Sequence, residues 1–282
     1  MIFLVATPIG NLSDITFRAI ETLGSCDYIL CEDTRYSLRL LQHYKIYKPC
    51  RSFHKFNEAR AEDAIIEELK AGKKIALISD AGTPGISDPG EQLVKRCVQE
   101  KIKVISIPGP CAAVAALSCS GFSTTQFQFC GFLPRTDSAV KKVLLQFLQY
   151  PGTTLCYESP KRLLATLKVI QAIAPNRQLA VARELTKIHE ELIRGTAKEL
   201  LTFYPNSPKG EIVLLIEGDS GTSTATWEAL SPAEHVMEVE QTYHLSRRDA
   251  IKMVATLRGE SKRDIYNLLL SKNTLSDGEF SA

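Results

Sequence analysis

Short apolar runs recur through the first 110 residues, and helical spacing fills the gaps between them. Residues 2–6, 28–31, 74–79 and 104–107 read as strands. Residues 15–23, a segment through Leu38, Leu40 and Leu41, residues 58–71 behind a capping Asn57, and residues 91–99 read as helices. The strands are continuous Ile/Val/Leu runs rather than alternating ones, which predicts burial on both faces and a parallel α/β sheet. A second stretch, 119–220, again mixes the two, with strands at 127–132, 153–157, 179–183 and 211–217 and helices at 138–148 and 161–174. Residues 218–226 are rich in Gly, Ser and Thr and read as a linker. The expected organisation is an α/β domain over 1–118, a second over 119–220, and a linker with a small helical domain over 221–282, its last ten residues disordered.

Composition narrows the function. The chain has 282 residues, 44% hydrophobic and 23% charged, with a formal net charge of +2. Bulk charge therefore cannot hold a nucleic acid, and any such role needs a local patch. The tail supplies one. Residues 227–243 hold four Glu and no Lys or Arg, whereas Arg247, Arg248, Lys252, Arg258, Lys262, Arg263 and Lys272 follow. Ser246 and Ser261 each precede a helical run with Asp three residues on, a pattern resembling a capping box. The eight cysteines lack C-x-x-C spacing and the five histidines lack ligand spacing, so no metal is expected. No run is long enough for a membrane span or a leader, and a cytoplasmic protein is expected.

The polar, glycine-rich segments fall after strands: Thr7 to Asn11, Glu32 to Arg35, Ser79 to Gly90 and Pro108 to Pro110. Ligands of open α/β sheets bind outside these strand ends. One such loop alone is most simply a turn, but 79–90 packs three Gly, two Pro and two Asp into twelve residues. P-loop, G-x-G-x-x-G and H-E-x-x-H signatures are missing. Residues 183–191 hold six ionisable groups, which suits either an exposed charged helix or hairpin, or a site where charges tune one another.

Taken together, VATPIGNLSDIT (5–16), CEDTR (31–35), LISDAGTPGISDPG (77–90), PGPCAA (108–113), GFLPR (131–135), YESPKRL (157–163), ARELTKIHEE (182–191) and KGEIVLLIEG (209–218) closely resemble the ribosomal RNA small subunit methyltransferase I family. The resemblance implies a two-domain tetrapyrrole-methylase-like fold, that of class III S-adenosyl-L-methionine methyltransferases, with a small helical C-terminal domain. It implies a homodimer that 2′-O-methylates a decoding-centre cytidine of 16S rRNA in the small ribosomal subunit. The cofactor is expected against Pro8, Gly10, Asp80, Gly82, Thr83, Ile86, Ser87, Cys111, Ala112, Tyr157 and Arg183. Catalytic candidates are Asp33, Glu184 and Glu190 as bases and Lys187 as an orienting cation. RNA contacts fall to Arg35, Arg247, Arg248, Lys252, Lys262 and Arg263. Lys55-Phe56 departs from the family pattern, where a small polar or acidic pair is expected. Two other readings share part of this pattern: a tetrapyrrole methylase acting on a small macrocycle, and a non-catalytic RNA-binding or assembly protein.

Overall fold

A computed structural model describes residues 1–148, 150–218, 230–243 and 245–276. The first sheet is wholly parallel. Its strands are β1 (Ile2–Val5), β2 (Tyr28–Cys31), β3 (Cys50–Ser52), β4 (Ile75–Leu77) and β5 (Val104–Ile107), ordered β3-β2-β4-β1-β5. Alternate side chains serve opposite faces. Ile2, Leu30, Ile75 and Leu77 pack with α3 (Glu58–Lys70) and α4 (Glu91–Gln99). Val5, Ile29, Cys31 and Ala76 pack with α1 (Phe17–Ser25) and α2 (Thr34–His43). Both faces being covered explains the unbroken apolar runs.

The second sheet is mixed. It comprises β6 (Phe127–Phe132), β7 (Thr153–Glu158), β8 (Gln178–Arg183), β9 (Glu191–Thr196) and β10 (Ile212–Ile216), ordered β6-β7-β10-β8-β9. Only β6 and β7 run parallel; β10 is antiparallel to both neighbours, and β8 and β9 form an antiparallel hairpin. The charged run 183–191 is therefore a strand end, a turn and a strand start, not a helix. One face packs on α6 (Asp137–Phe147), α7 (Pro160–Ile173) and α8 (Ala197–Phe203).

The other face packs on α5 (Ala112–Ser120), through Ala113, Ala116 and Leu117 against Leu155, Ala180, Ala182, Val213 and Leu215. The sequence reading grouped residues up to 118 with the first sheet. By packing, α5 goes with the second, because the chain crosses over at Pro108-Gly109-Pro110 and the helix offers small side chains to a flat strand face.

The tail forms α9 (Pro232–Tyr243), α10 (Arg247–Arg258) and α11 (Lys262–Ser276) around Val236, Ala250, Val254 and Ile265. Ser246 Oγ meets Asp249 Oδ2 at 2.7 Å and Ser261 Oγ meets Asp264 Oδ2 at 2.6 Å, as the cap pattern predicts. α11 runs four residues into the stretch expected to be disordered; residues 277–282 and linker residues 219–226 lie outside the described ones. Asn57 is a second correction. Its side chain does not cap α3 but accepts from the His54 backbone N–H at 2.8 Å and donates to the Ser52 carbonyl at 3.0 Å. No helix among the described residues is long and apolar enough to cross a membrane.

Candidate active site

Loop 79–90 crosses the carboxyl ends of the first sheet and is anchored from three sides. Thr7 and Gly82 exchange two backbone hydrogen bonds of 2.9 and 3.0 Å. Thr7 Oγ1 donates to the Ser79 carbonyl at 3.1 Å, and Thr83 Oγ1 to the Pro110 carbonyl at 3.2 Å. Ser87 takes φ +67°, a left-handed conformation that a non-glycine residue adopts only when its surroundings enforce it. Gly90 has φ +123°, and a Cβ there would lie 2.6 Å from Leu77 Cδ2, so the loop returns to α4 only through glycine.

The anchored loop floors a cavity of about 420 Å³ between the two sheets, within the range of small-molecule sites. Ile9, Ile86, Leu185, Ile212 and Val213 give it apolar walls, and Asp80, Asp88 and Glu211 bring carboxylates to it. Burial pushes the Asp88 carboxyl up to about 6, with the nearby Glu32 charge adding to the rise and Lys55 opposing it. Burial also raises Asp80, against a hydrogen bond from the Asp33 N–H at 3.2 Å. The Tyr157 phenol is pushed up to about 12 by burial and nearby acidic groups, and stays protonated as a donor.

Of the expected cofactor contacts, Asp80, Gly82, Thr83, Ile86, Ser87, Cys111, Ala112 and Tyr157 line this cavity. Pro8, Gly10 and Arg183 do not; their neighbours Ile9 and Ala182 do. Gly10 instead faces the 184–187 turn, and Arg183 is drawn away by Glu191 and by the Lys209 carbonyl at 3.0 Å.

The catalytic candidates are all engaged elsewhere. Asp33 caps α2 and is gripped by Arg35 through Nε at 3.2 Å and Nη2 at 3.0 Å, which holds its carboxyl below the usual range. Glu184 receives Lys187 Nζ at 2.8 Å and the Glu211 N–H at 2.9 Å, and is likewise lowered, chiefly by Lys187. Lys187 also reaches Glu211 at 2.6 Å; burial disfavours its charge, but these two carboxylates overcome that and raise it. Glu190 accepts from the Thr186 N–H. Sequence reasoning missed Asp88 and Glu211. Asp88 lay within the singled-out loop, and Glu211 stood in the KGEIVLLIEG block, so position relative to a strand end was the available signal.

The residues fit S-adenosyl-L-methionine by the chemistry of the donor set. Apolar walls suit an adenine and a thioether chain, and carboxylates suit a sulfonium and an ammonium.

Known proteins agree with this picture. The family model for Tetrapyrrole (Corrin/Porphyrin) Methylases matches residues 1–201. The chain is 45% identical over 271 residues to "Ribosomal RNA small subunit methyltransferase I" of Halalkalibacterium halodurans, covering 95% of this chain and 93% of that one. It is 42% identical to the protein of that name from Bacillus subtilis, with coverage of 95% and 93%. Among solved structures, diphthine synthase aligns with a TM-score of 0.60 at 14% identity, covering 77% of this chain and 89% of that chain. Uroporphyrin-III-C-methyltransferase from Thermus thermophilus aligns at 0.53 and 18%, covering 77% and 93%. Those two likenesses establish the two-sheet fold, and the sequence matches establish the rest: the chain belongs to the ribosomal RNA small subunit methyltransferase I family, within the tetrapyrrole methylases.

Proposed function

We propose that the protein is an S-adenosyl-L-methionine-dependent methyltransferase that modifies the ribose 2′-hydroxyl of a decoding-centre cytidine in 16S rRNA, working as a homodimer on the small ribosomal subunit. The observation that carries the reading is kinship over 95% of the chain, basic tail included, together with a cavity lined by eight of the expected cofactor contacts. A macrocycle methylase of the same fold needs no such tail, and the structural neighbours that act on small molecules share at most the fold.

When bound, the cofactor supplies an electrophilic methyl group. The chain's own part is to hold the reactants in line, which alone can provide much of the acceleration. Asp80 and Asp88 attract the cationic ligand, Glu211 beside them is held by Lys187, and the Ser87 and Gly82 backbone fixes the floor. Asp88 also has the acidity a general base needs near neutral pH, whereas Asp33, Glu184 and Glu190 are committed to caps and ion pairs. On the RNA side, Arg248, Lys262 and Arg263 are exposed on α10 and α11, while Arg247 pairs with Glu240 at 3.3 Å and Lys252 with Asp249 at 3.4 Å.

The test is methyl transfer from labelled S-adenosyl-L-methionine to purified small subunits, with the labelled nucleotide mapped. Label confined to one cytidine ribose is expected. Cofactor binding without transfer to subunits or to free 16S rRNA would refute the substrate assignment.

A further inference from the structure

Phe56 is 98% exposed, although fixing an apolar ring in water gains nothing for folding. The turn that carries it is nonetheless built. Asn57 ties the His54 N–H and the Ser52 carbonyl together, the Asn57 N–H reaches the His54 carbonyl at 2.9 Å, and the Phe56 N–H donates to His54 Nδ1 at 3.2 Å. The His54 ring then stands edge-on to the Phe56 ring, with centroids 6.0 Å apart. Phe53 at the base of the turn is buried under the first sheet.

This turn borders the cavity floor. Glu58, the first residue of α3, accepts the Gly90 N–H at 3.2 Å, and the Lys55 charge acts on the cavity carboxylate Asp88. The hydrogen-bonded turn thus offers an exposed aromatic face and an exposed ammonium side by side, next to the loop that floors the cavity. That pairing matches single-stranded nucleic acid, which presents a stackable base beside each phosphate.

We propose that the turn 54–57 is a substrate platform: the Phe56 ring stacks on one unpaired nucleobase of the RNA while Lys55 contacts the adjoining phosphate. The proposal rests on the rRNA methyltransferase reading.

The test compares wild type, Phe56→Ala, Phe56→Tyr and Lys55→Ala on purified small subunits with labelled S-adenosyl-L-methionine. Phe56→Ala is expected to raise KM for subunits about 5- to 150-fold with cofactor Kd unchanged, and Phe56→Tyr to stay within about twofold of wild type. Lys55→Ala is expected to reduce the salt dependence of log KM by about 0.7. Phe56→Trp in a Trp227→Phe background, Trp227 being the chain's single tryptophan, should lose fluorescence on binding single-stranded RNA. A wild type that methylates subunits beside a Phe56→Ala enzyme of unchanged KM overturns this proposal alone. So does a Trp signal blind to saturating RNA, or a Phe56→Ala effect confined to the sedimentation coefficient, which would place the ring between two copies of the chain. A wild type inactive on every ribosomal substrate overturns the functional reading and this proposal with it.

Discussion

Replacing Arg162 by Met should be among the most damaging single changes outside the cavity itself. Glu158 ends β7 with a fully buried side chain, and Arg162, four residues on, lies in the first turn of α7. The guanidinium donates to Glu158 through Nε at 2.8 Å and through Nη2, then bridges to the Pro134 carbonyl at 2.8 Å and the Leu133 carbonyl at 3.0 Å. Ser159 N–H and Thr166 Oγ1 complete the carboxylate's shell, each at 2.7 Å. Without Arg162 the carboxylate keeps only these two donors and no counter-charge. Stranding one member of a buried pair costs about 3–5 kcal/mol, against a usual total of about 5–15. Glu158, Ser159, Pro160 and Phe132 all line the cavity, so cofactor affinity should fall as well. Urea unfolding gives the first quantity and isothermal titration the second. Adding Glu158→Gln removes the stranded charge, so the double variant should recover at least about 1 kcal/mol of the loss. A loss below about 1 kcal/mol for Arg162→Met, or a double variant no better than the single, would refute the argument.

Gly210→Ala is expected to cost about 1–3 kcal/mol and to weaken cofactor binding, because φ is +99° and the new Cβ would sit 2.4 Å from Glu184 Cδ; thermal melts and titration read both. Cofactor affinity should depend on Asp88: a cationic ligand selects the carboxylate, so binding weakens as pH falls below about 6, and Asp88→Asn should flatten that dependence in titrations between pH 5 and 8. The same raised acid works against folding in the opposite direction, its burden absent below about pH 4 and fully present above about pH 6, so Asp88→Asn should stabilise the chain at neutral pH in urea melts. Neutralising Arg247, Arg248, Lys262 and Arg263 together should weaken RNA binding, more so as salt falls, while leaving cofactor Kd alone; unchanged RNA affinity in filter binding would remove the tail from the interface.

The first sheet was legible because its strands are buried on both faces, so each element is a run with one character. The second was less so. β9 mixes Glu, Arg and Gly into six residues, lies at the sheet edge and carries no apolar run, and α8 is only seven residues long. The three-residue β3 left no periodicity to read. α5 was hidden for a different reason. It is apolar nearly all round, which signals burial but not which sheet receives it.

The catalytic candidates came from the resemblance, and a carboxylate in sequence does not reveal what it is paired with. The 184–190 turn is where this matters most. Glu184 at φ +52° and Thr186 at φ +67° bend the β8–β9 connection back on itself, and the Lys187 pair with Glu184 and Glu211 holds it there. Thr186 Oγ1 then accepts the Asn11 N–H of the first sheet's leading loop at 3.0 Å. A Cβ on Gly10 would lie 2.4 Å from Lys187 Cγ, so the contact closes only against bare backbone. The ionisable run is thus a clasp between the two sheets at the edge of the cavity. Its charges are spent on one another, and it sets the distance between Ile9 and Leu185, which line the cavity from opposite sides of the clasp.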